Sequence, residues 1–248
     1  MRLEKWYADV VGDGLVSIHY RATLSLGPLR IAYRGELGRD LFRRGTFGIC
    51  RSFPRLERAP GAARLRMMTD GGPLTWRNAT SRPMCLWTDG RRHVTWDPCV
   101  LNGAVEGALQ GRGYAERLVM TVAPWRLAID RLWWGRFCGE RHSFVWIVWE
   151  GSHPLRVSLF DGSPLQLDEV GEDAMSATAL RLVTGERRLI VDETLGAGAL
   201  AGFRLANRIA PVTFLSGRER KWLAQGELQR DGRRIDQGKV ICERVDWS

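Results

Sequence analysis

Alternation of apolar and polar residues with a period of two restricts the fold of this chain more than any other feature. Successive side chains of an extended strand point to opposite faces, so each alternating run describes a half-buried β-strand. In Ile18-His19-Tyr20-Arg21-Ala22-Thr23-Leu24 one face holds Ile, Tyr, Ala and Leu and the other His, Arg and Thr. Gly12-Asp13-Gly14 before this run and Gly27-Pro28 after it are turn signals, and Leu29-Arg30-Ile31-Ala32-Tyr33-Arg34 alternates again. Residues 3–37 are therefore predicted as a three-stranded antiparallel meander. Asp89-Gly90, between Met84–Thr88 and Arg91–Asp97, predicts a hairpin. Further strands are predicted near 64–69, 74–79, 113–122, 131–138, 143–150 and 155–160. Two more hairpins are predicted, 177–184 with 187–193 around Gly185-Glu186, and 220–230 with 233–245 around Asp231-Gly232. Residues 199–209, with Leu200, Phe203 and Asn207 on one stripe, are the short helix predicted. Many short strands at close spacing imply an all-β fold, an antiparallel sandwich or barrel with few short helices. No exact internal repeat is visible.

Composition bears on partners. The net charge is +9, yet Lys5, Lys221 and Lys239 are the only lysines, and the arginines are scattered in pairs such as Arg43-Arg44, Arg91-Arg92, Arg187-Arg188 and Arg233-Arg234. A nucleic-acid surface concentrates its charge, so this charge reads as a solvated face and nucleic acid is not an expected partner. A loose contact with a membrane surface stays open. No apolar run reaches the roughly 18 residues of a membrane-spanning helix. The charged stretch Met1–Asp9 lacks the apolar segment of a secretory signal. Cys50, Cys85, Cys99, Cys138 and Cys242 are odd in number and include no C-x-x-C pair. Reduced thiols in a cytoplasmic protein fit this better than a disulfide framework. No His/Cys spacing suits a metal, Gly111-Arg112-Gly113 opens a strand and not a helix as a dinucleotide site requires, and neither a P-loop nor a Gly-x-Ser-x-Gly elbow occurs. No cofactor is expected.

Every His and Tyr, and every Trp except Trp222 and Trp247, precedes residue 154. Residues 161–173 are acidic and turn-rich. These shifts predict an aromatic-rich β domain over 1–162 and a smaller β-barrel domain over 163–248. Tyr114, Trp125, Trp133, Trp134, Phe137, Phe144, Trp146 and Trp149 crowd one stretch. In the strand 114–122 the alternation puts Glu116 on the apolar side with Tyr114, Leu118, Met120 and Val122. A carboxylate there is costly unless paired or protonated. Two readings follow. In an aromatic pocket, burial favours the neutral carboxyl and makes Glu116 a proton donor. Alternatively Arg136, on the face of Leu132 and Trp134, pairs with Glu116 and locks two strands. Trp134, Trp146, Trp149, Trp87 and Trp96 are candidate walls for an apolar ligand, and aromatic faces also stabilise a developing cation. Trp146 and Trp149 face opposite sides of their strand, so both cannot line one cavity.

Gly111-Arg112-Gly113-Tyr114-Ala115-Glu116 resembles the Gly-x-Gly-Tyr-x-Glu strand of the hydroxyneurosporene synthase family, which includes carotenoid 1,2-hydratases. Trp133 to Phe137 and Phe144-Val145-Trp146-Ile147-Val148-Trp149 are similar to its Trp-rich strands. Val240-Ile241-Cys242-Glu243-Arg244-Val245 is similar to its last strand. Lys5-Trp6-Tyr7-Ala8-Asp9 and Leu26-Gly27-Pro28-Leu29 resemble a bacterial branch. The resemblance implies two consecutive lipocalin-like β-barrels, a pocket in or between them, and apolar ligands. Related enzymes hydrate carotenoid double bonds, cyclise tocopherol precursors or close rings pericyclically, none with a metal or nucleotide. Carried over, Tyr114 and Glu116 take the motif positions and the aromatic strands supply walls.

The expected function is cofactor-independent hydration, cyclisation or isomerisation of an isoprenoid or polyene substrate. Glu116, Tyr114 and Arg136 would be its catalytic groups. The alternative is a lipocalin-like carrier that binds such a ligand without turning it over.

Overall fold

The computed structural model describes residues 1–12, 15–38, 42–48, 54–59, 62–198, 200 and 210–247, and their regular structure is nearly all strand with little helix. The first strands are β1 (Arg2–Gly12), β2 (Leu15–Leu26), β3 (Leu29–Leu37), β4 (Phe42–Gly48) and β5 (Arg55–Ala59). They are followed by β6 (Ala62–Thr69), β7 (Gly72–Arg77), β8 (Met84–Thr88), β9 (His93–Gly107) and β10 (Gly111–Met120). A single 3-10 turn, Pro124–Arg126, precedes β11 (Ile129–Gly139), β12 (Ser143–Gly151), β13 (Leu155–Phe160), β14 (Ser163–Pro164) and β15 (Glu169–Val170). The rest are β16 (Ala174–Ala177), β17 (Leu180–Thr194), the one-turn helix α1 (Val212–Leu215), β18 (Arg218–Arg230) and β19 (Arg233–Asp246). The predicted helix over 199–209 lies outside the described residues apart from Leu200, as do Asp13, Gly14 and Cys50.

The strands form two antiparallel sheets. One runs β4-β3-β2-β1-β10-β9-β7-β6-β5 with β8 against β9, and the other β14-β13-β12-β11-β19-β18-β17-β16-β15. Both follow one plan: a meander runs outward from the first strand, a second meander returns, and its last strand closes on the first. Each sheet is curled. In the first, Trp6, Ala8 and Val10 of β1 share a core with Leu65 and Met67 of β6, four places away in the sheet, which a flat sheet would forbid. Arg21 of β2 also donates to Met68 O of β6 at 2.6 Å. In the second, Phe144 of β12 and Met175 of β16 share a core with Phe137 and Leu182. Gly135 lies opposite Trp146, where any Cβ would run into the indole, so glycine lets that ring lie across the strand pair.

The predicted N-terminal meander is present as β1, β2 and β3 with adjacent pairing. The hairpins at Asp89-Gly90 and Asp231-Gly232 also form, with positive φ at Gly90, Asp231 and Gly232. Three expectations are corrected. The two compact units are Met1–Arg126 and Leu127–Ser248, not 1–162 and 163–248. β11, β12 and β13 pair, directly or in turn, with β19, so they belong to the second unit. The acidic stretch 161–173 instead contains β14 and β15, the two edges of the second sheet, where exposed charge is expected. Gly185-Glu186 is no hairpin, because β17 runs through it with a register shift, both halves pairing with β18. Finally, the strand predicted to stop before Pro98 continues to Gly107, with Pro98 beside an irregular step in the β9–β10 register.

Candidate active site

β10 presents the motif residues. Tyr114 and Glu116, two residues apart, project to the same side, and Trp96 of β9, opposite Leu118, joins them. Tyr114 and Trp96 are fully buried and Glu116 is 9% exposed. The Tyr114 hydroxyl donates to Glu116 Oε2 at 2.7 Å, and the Trp96 indole N–H donates to the same oxygen at 2.6 Å. Two donors on one oxygen orient the carboxyl and offset part of its desolvation. Burial, then the charge and hydrogen bond of Glu116, pushes the Tyr114 phenol well above its ordinary value. Tyr114 therefore stays protonated and remains a donor.

A second layer comes from β1. Tyr7 stands directly across from Glu116 and also pairs with Tyr20 of β2. Its hydroxyl donates to Asp9 Oδ2 at 3.0 Å, and Asp9 Oδ1 accepts from the Tyr114 backbone N–H at 3.2 Å. The ring of Tyr7 lies 5.4 Å from Tyr20 and 6.1 Å from Tyr114. Gly113 explains the glycine of the motif: a Cβ there would strike Asp9 O and the Trp76 indole nitrogen, which donates to that carbonyl at 2.9 Å. Asp9 and Tyr7 join the site from β1, where alternation puts them on one face with Lys5.

The remaining candidates are distributed over both units. Trp87 is half-buried on β8, opposite Val94. Arg136, expected on a strand neighbouring Glu116, belongs to the second sheet, where it is buried and donates to Lys239 O at 3.0 Å. The two residues do not share a sheet because β10 ends the first unit and β11 begins the second. Trp134 and Trp149 lie on the face of Arg136, and Trp146 lies on the other, packed among Phe137, Phe144 and Val148 in the core. Asp97 is buried within β9 and accepts from Ser81 Oγ at 2.7 Å and Arg82 N at 2.8 Å. His142 sits in the β11–β12 turn, with Nδ1 2.8 Å from Asp161.

Cys99, Cys138 and Cys242 are buried free thiols and Cys85 is exposed. Burial pushes the Cys242 thiol to about 12 and Cys99 higher still, with Asp97 adding to the latter, so neither forms a thiolate readily. Among the described residues no three His, Cys, Asp or Glu side chains are placed to hold a metal, and no helix is long and apolar enough to cross a membrane.

The two curled sheets make this an all-β chain of two consecutive lipocalin-like half-barrels. Solved structures share that fold. CghA with Sch210972 is 8% identical, with a TM-score of 0.59 over 99% of this chain and 88% of that one. Kievitone hydratase from Nectria haematococca is 9% identical, with a TM-score of 0.53 over 99% of this chain and 89% of that one. No protein-family model and no curated protein matches the chain.

Proposed function

We propose that the chain is an enzyme that transfers a proton to and from an apolar, unsaturated substrate of isoprenoid or polyene type. The reaction is hydration, cyclisation or isomerisation at a C=C bond, without a cofactor. The observation that carries this reading is the buried Glu116 carboxyl, whose Oε2 receives both the Tyr114 hydroxyl and the Trp96 indole N–H. When the neutral carboxyl gives its proton to an alkene carbon, negative charge develops on Glu116 and positive charge on the substrate. Tyr114 and Trp96 are already aimed at that carboxylate, the arrangement by which preorganised donors lower a barrier. Aromatic faces stabilise the cation. In hydration, water then adds to the cationic carbon and its surplus proton returns to Glu116, so the net change is addition of water. In cyclisation or isomerisation, the proton lost from carbon returns to Glu116 and the carboxyl is regenerated.

The fold shared with kievitone hydratase, which its name describes as a hydratase, supports the reaction class. Arg136, Trp134, Trp146 and Trp149 enter no step of this scheme. A compartment in the cytoplasm, a small apolar molecule as partner, no nucleic acid, and a loose contact with a membrane surface belong to the same proposal. Mass spectrometry of an organic extract of the purified protein identifies a candidate substrate. Wild type is expected to convert it, and Glu116→Gln to lose turnover while keeping the β-rich circular dichroism spectrum. A pure, folded and fully active Glu116→Gln would sink the role of Glu116. A shift in Trp fluorescence on binding with no product from wild type would make the chain a carrier.

A further inference from the structure

The inner face of the first sheet carries polar side chains that the Glu116 site does not use. On β2, Ser17, His19 and Arg21 pair with Val10, Ala8 and Trp6, and Thr23 follows on the same side. All four are buried, on the face that holds the core with Leu65 and Met67. Some of their polar atoms are satisfied. Ser17 Oγ lies 3.1 Å from His19 Nε2. Arg21 donates from Nη1 to Tyr20 O at 2.8 Å, and from Nη2 to Glu36 Oε1 at 2.9 Å and to Met68 O. Arg21 Nε and Thr23 Oγ1 have no hydrogen-bond partner among the described residues, whereas His19 Nδ1 faces Glu36 Oε1 at 3.6 Å. A buried donor left unpaired loses its water and receives nothing in return, and native proteins keep few of them. Two occur here on successive inward positions of one strand.

The chemistry of these atoms selects what would satisfy them. Arg21 Nε can only donate, and the Thr23 hydroxyl two residues along the strand can donate beside it. Both therefore suit an acceptor oxygen. Charge selects further. Burial works to raise the Glu36 carboxyl, but hydrogen bonds from His19 and Arg21 bring it down to about 2, so it is ionised and balances the guanidinium. A second carboxylate would meet that negative charge, whereas a neutral carbonyl would not. The surroundings, with Trp6, Leu65 and Met67, are apolar.

We propose that the inner face of the first sheet binds the carbonyl oxygen of a neutral, apolar ketone, received by Arg21 Nε and Thr23 Oγ1. The site stands on these residues alone and does not depend on the role given to Glu116. The test is titration of the full chain with 2-acetylnaphthalene, its hydrocarbon match 2-ethylnaphthalene, and 2-naphthoate, by calorimetry, with the ketone C=O stretch followed by infrared. The ketone is expected to bind about tenfold more tightly than the hydrocarbon, because only the ketone fills the donors. It should also bind more tightly than the carboxylate, and its C=O stretch should move to lower wavenumber. Thr23→Val is expected to keep or raise Tm by removing an unpaired hydroxyl, and to shrink the preference for the ketone. Arg21→Lys keeps the charge beside Glu36 but lacks Nε, and should shrink it too. Equal binding of ketone and hydrocarbon, no ketone binding up to millimolar concentration, tighter binding of naphthoate, or an unshifted C=O stretch would each overturn the proposal.

Discussion

A glutamate on an apolar strand face is unfavourable unless its neighbours offset the cost, and at Glu116 they are Tyr114 and Trp96. The alternation around 114–122 was enough to flag Glu116 as misplaced. It could not name the donors, because Trp96 is distant in sequence and reaches Glu116 only through the β9–β10 register. Tyr114→Phe removes one of the two donors and leaves Trp96 in place. It is expected to lower kcat by about 10²-fold with little change in KM, as for loss of one preorganised donor, read from steady-state kinetics on the co-purified compound. Gly113 makes a different prediction. Gly113→Ala forces a methyl group against Asp9 O and the Trp76 indole, so a loss of about 1–3 kcal/mol is expected in urea unfolding.

Among the strands, some turns carry a local rule and others were readable only from the strands predicted on either side. Asp89-Gly90 specifies its own hairpin. The β11–β12 turn does not, and is organised by Asp236 of β19. That carboxylate accepts from the backbone N–H of Glu140 at 3.2 Å, Arg141 at 3.0 Å, His142 at 2.7 Å and Gln237 at 2.8 Å. Burial works to raise its pKa, but these donors overcome it and hold the carboxyl below its ordinary 3.8. A group depressed on folding stabilises the protein above its unfolded pKa, and that contribution is lost as pH falls through the folded value. Asp236→Ala is expected to cost roughly 1–3 kcal/mol near neutral pH, to speed amide exchange at residues 140–142, and to flatten the loss of stability below pH 3.8. At Gly185-Glu186 a local turn signal was overridden, because both flanking segments pair with the same neighbour, β18. An extra residue in one strand is then absorbed as a bulge.

For the whole molecule, part of the basic charge is held in ion pairs. Arg34, Arg77, Arg92, Arg117, Arg187 and Arg218 are among the arginines ion-paired with carboxylates, on both units. Weak retention by duplex DNA even at low salt is expected in fluorescence anisotropy; tight, steeply salt-dependent binding would contradict it. Each unit repeats one strand order, the first strand closing on the last, although no repeat shows in the residues. The plan is held by backbone pairing and by which face is apolar, and many side chains satisfy both. Alternation and turn chemistry are local, so the sequence by itself determined the all-β class, most strand positions, and Glu116 and Tyr114 as residues out of the ordinary. Sheet membership is not local. It assigned β11 and Arg136 to the second unit, placed Trp146 in a core, brought Trp96 to Glu116, and left Arg21 and Thr23 with unpaired donors inside the first sheet. Strands look alike in sequence whichever partner they take, and the partner is chosen only when the sheets curl and their faces are buried.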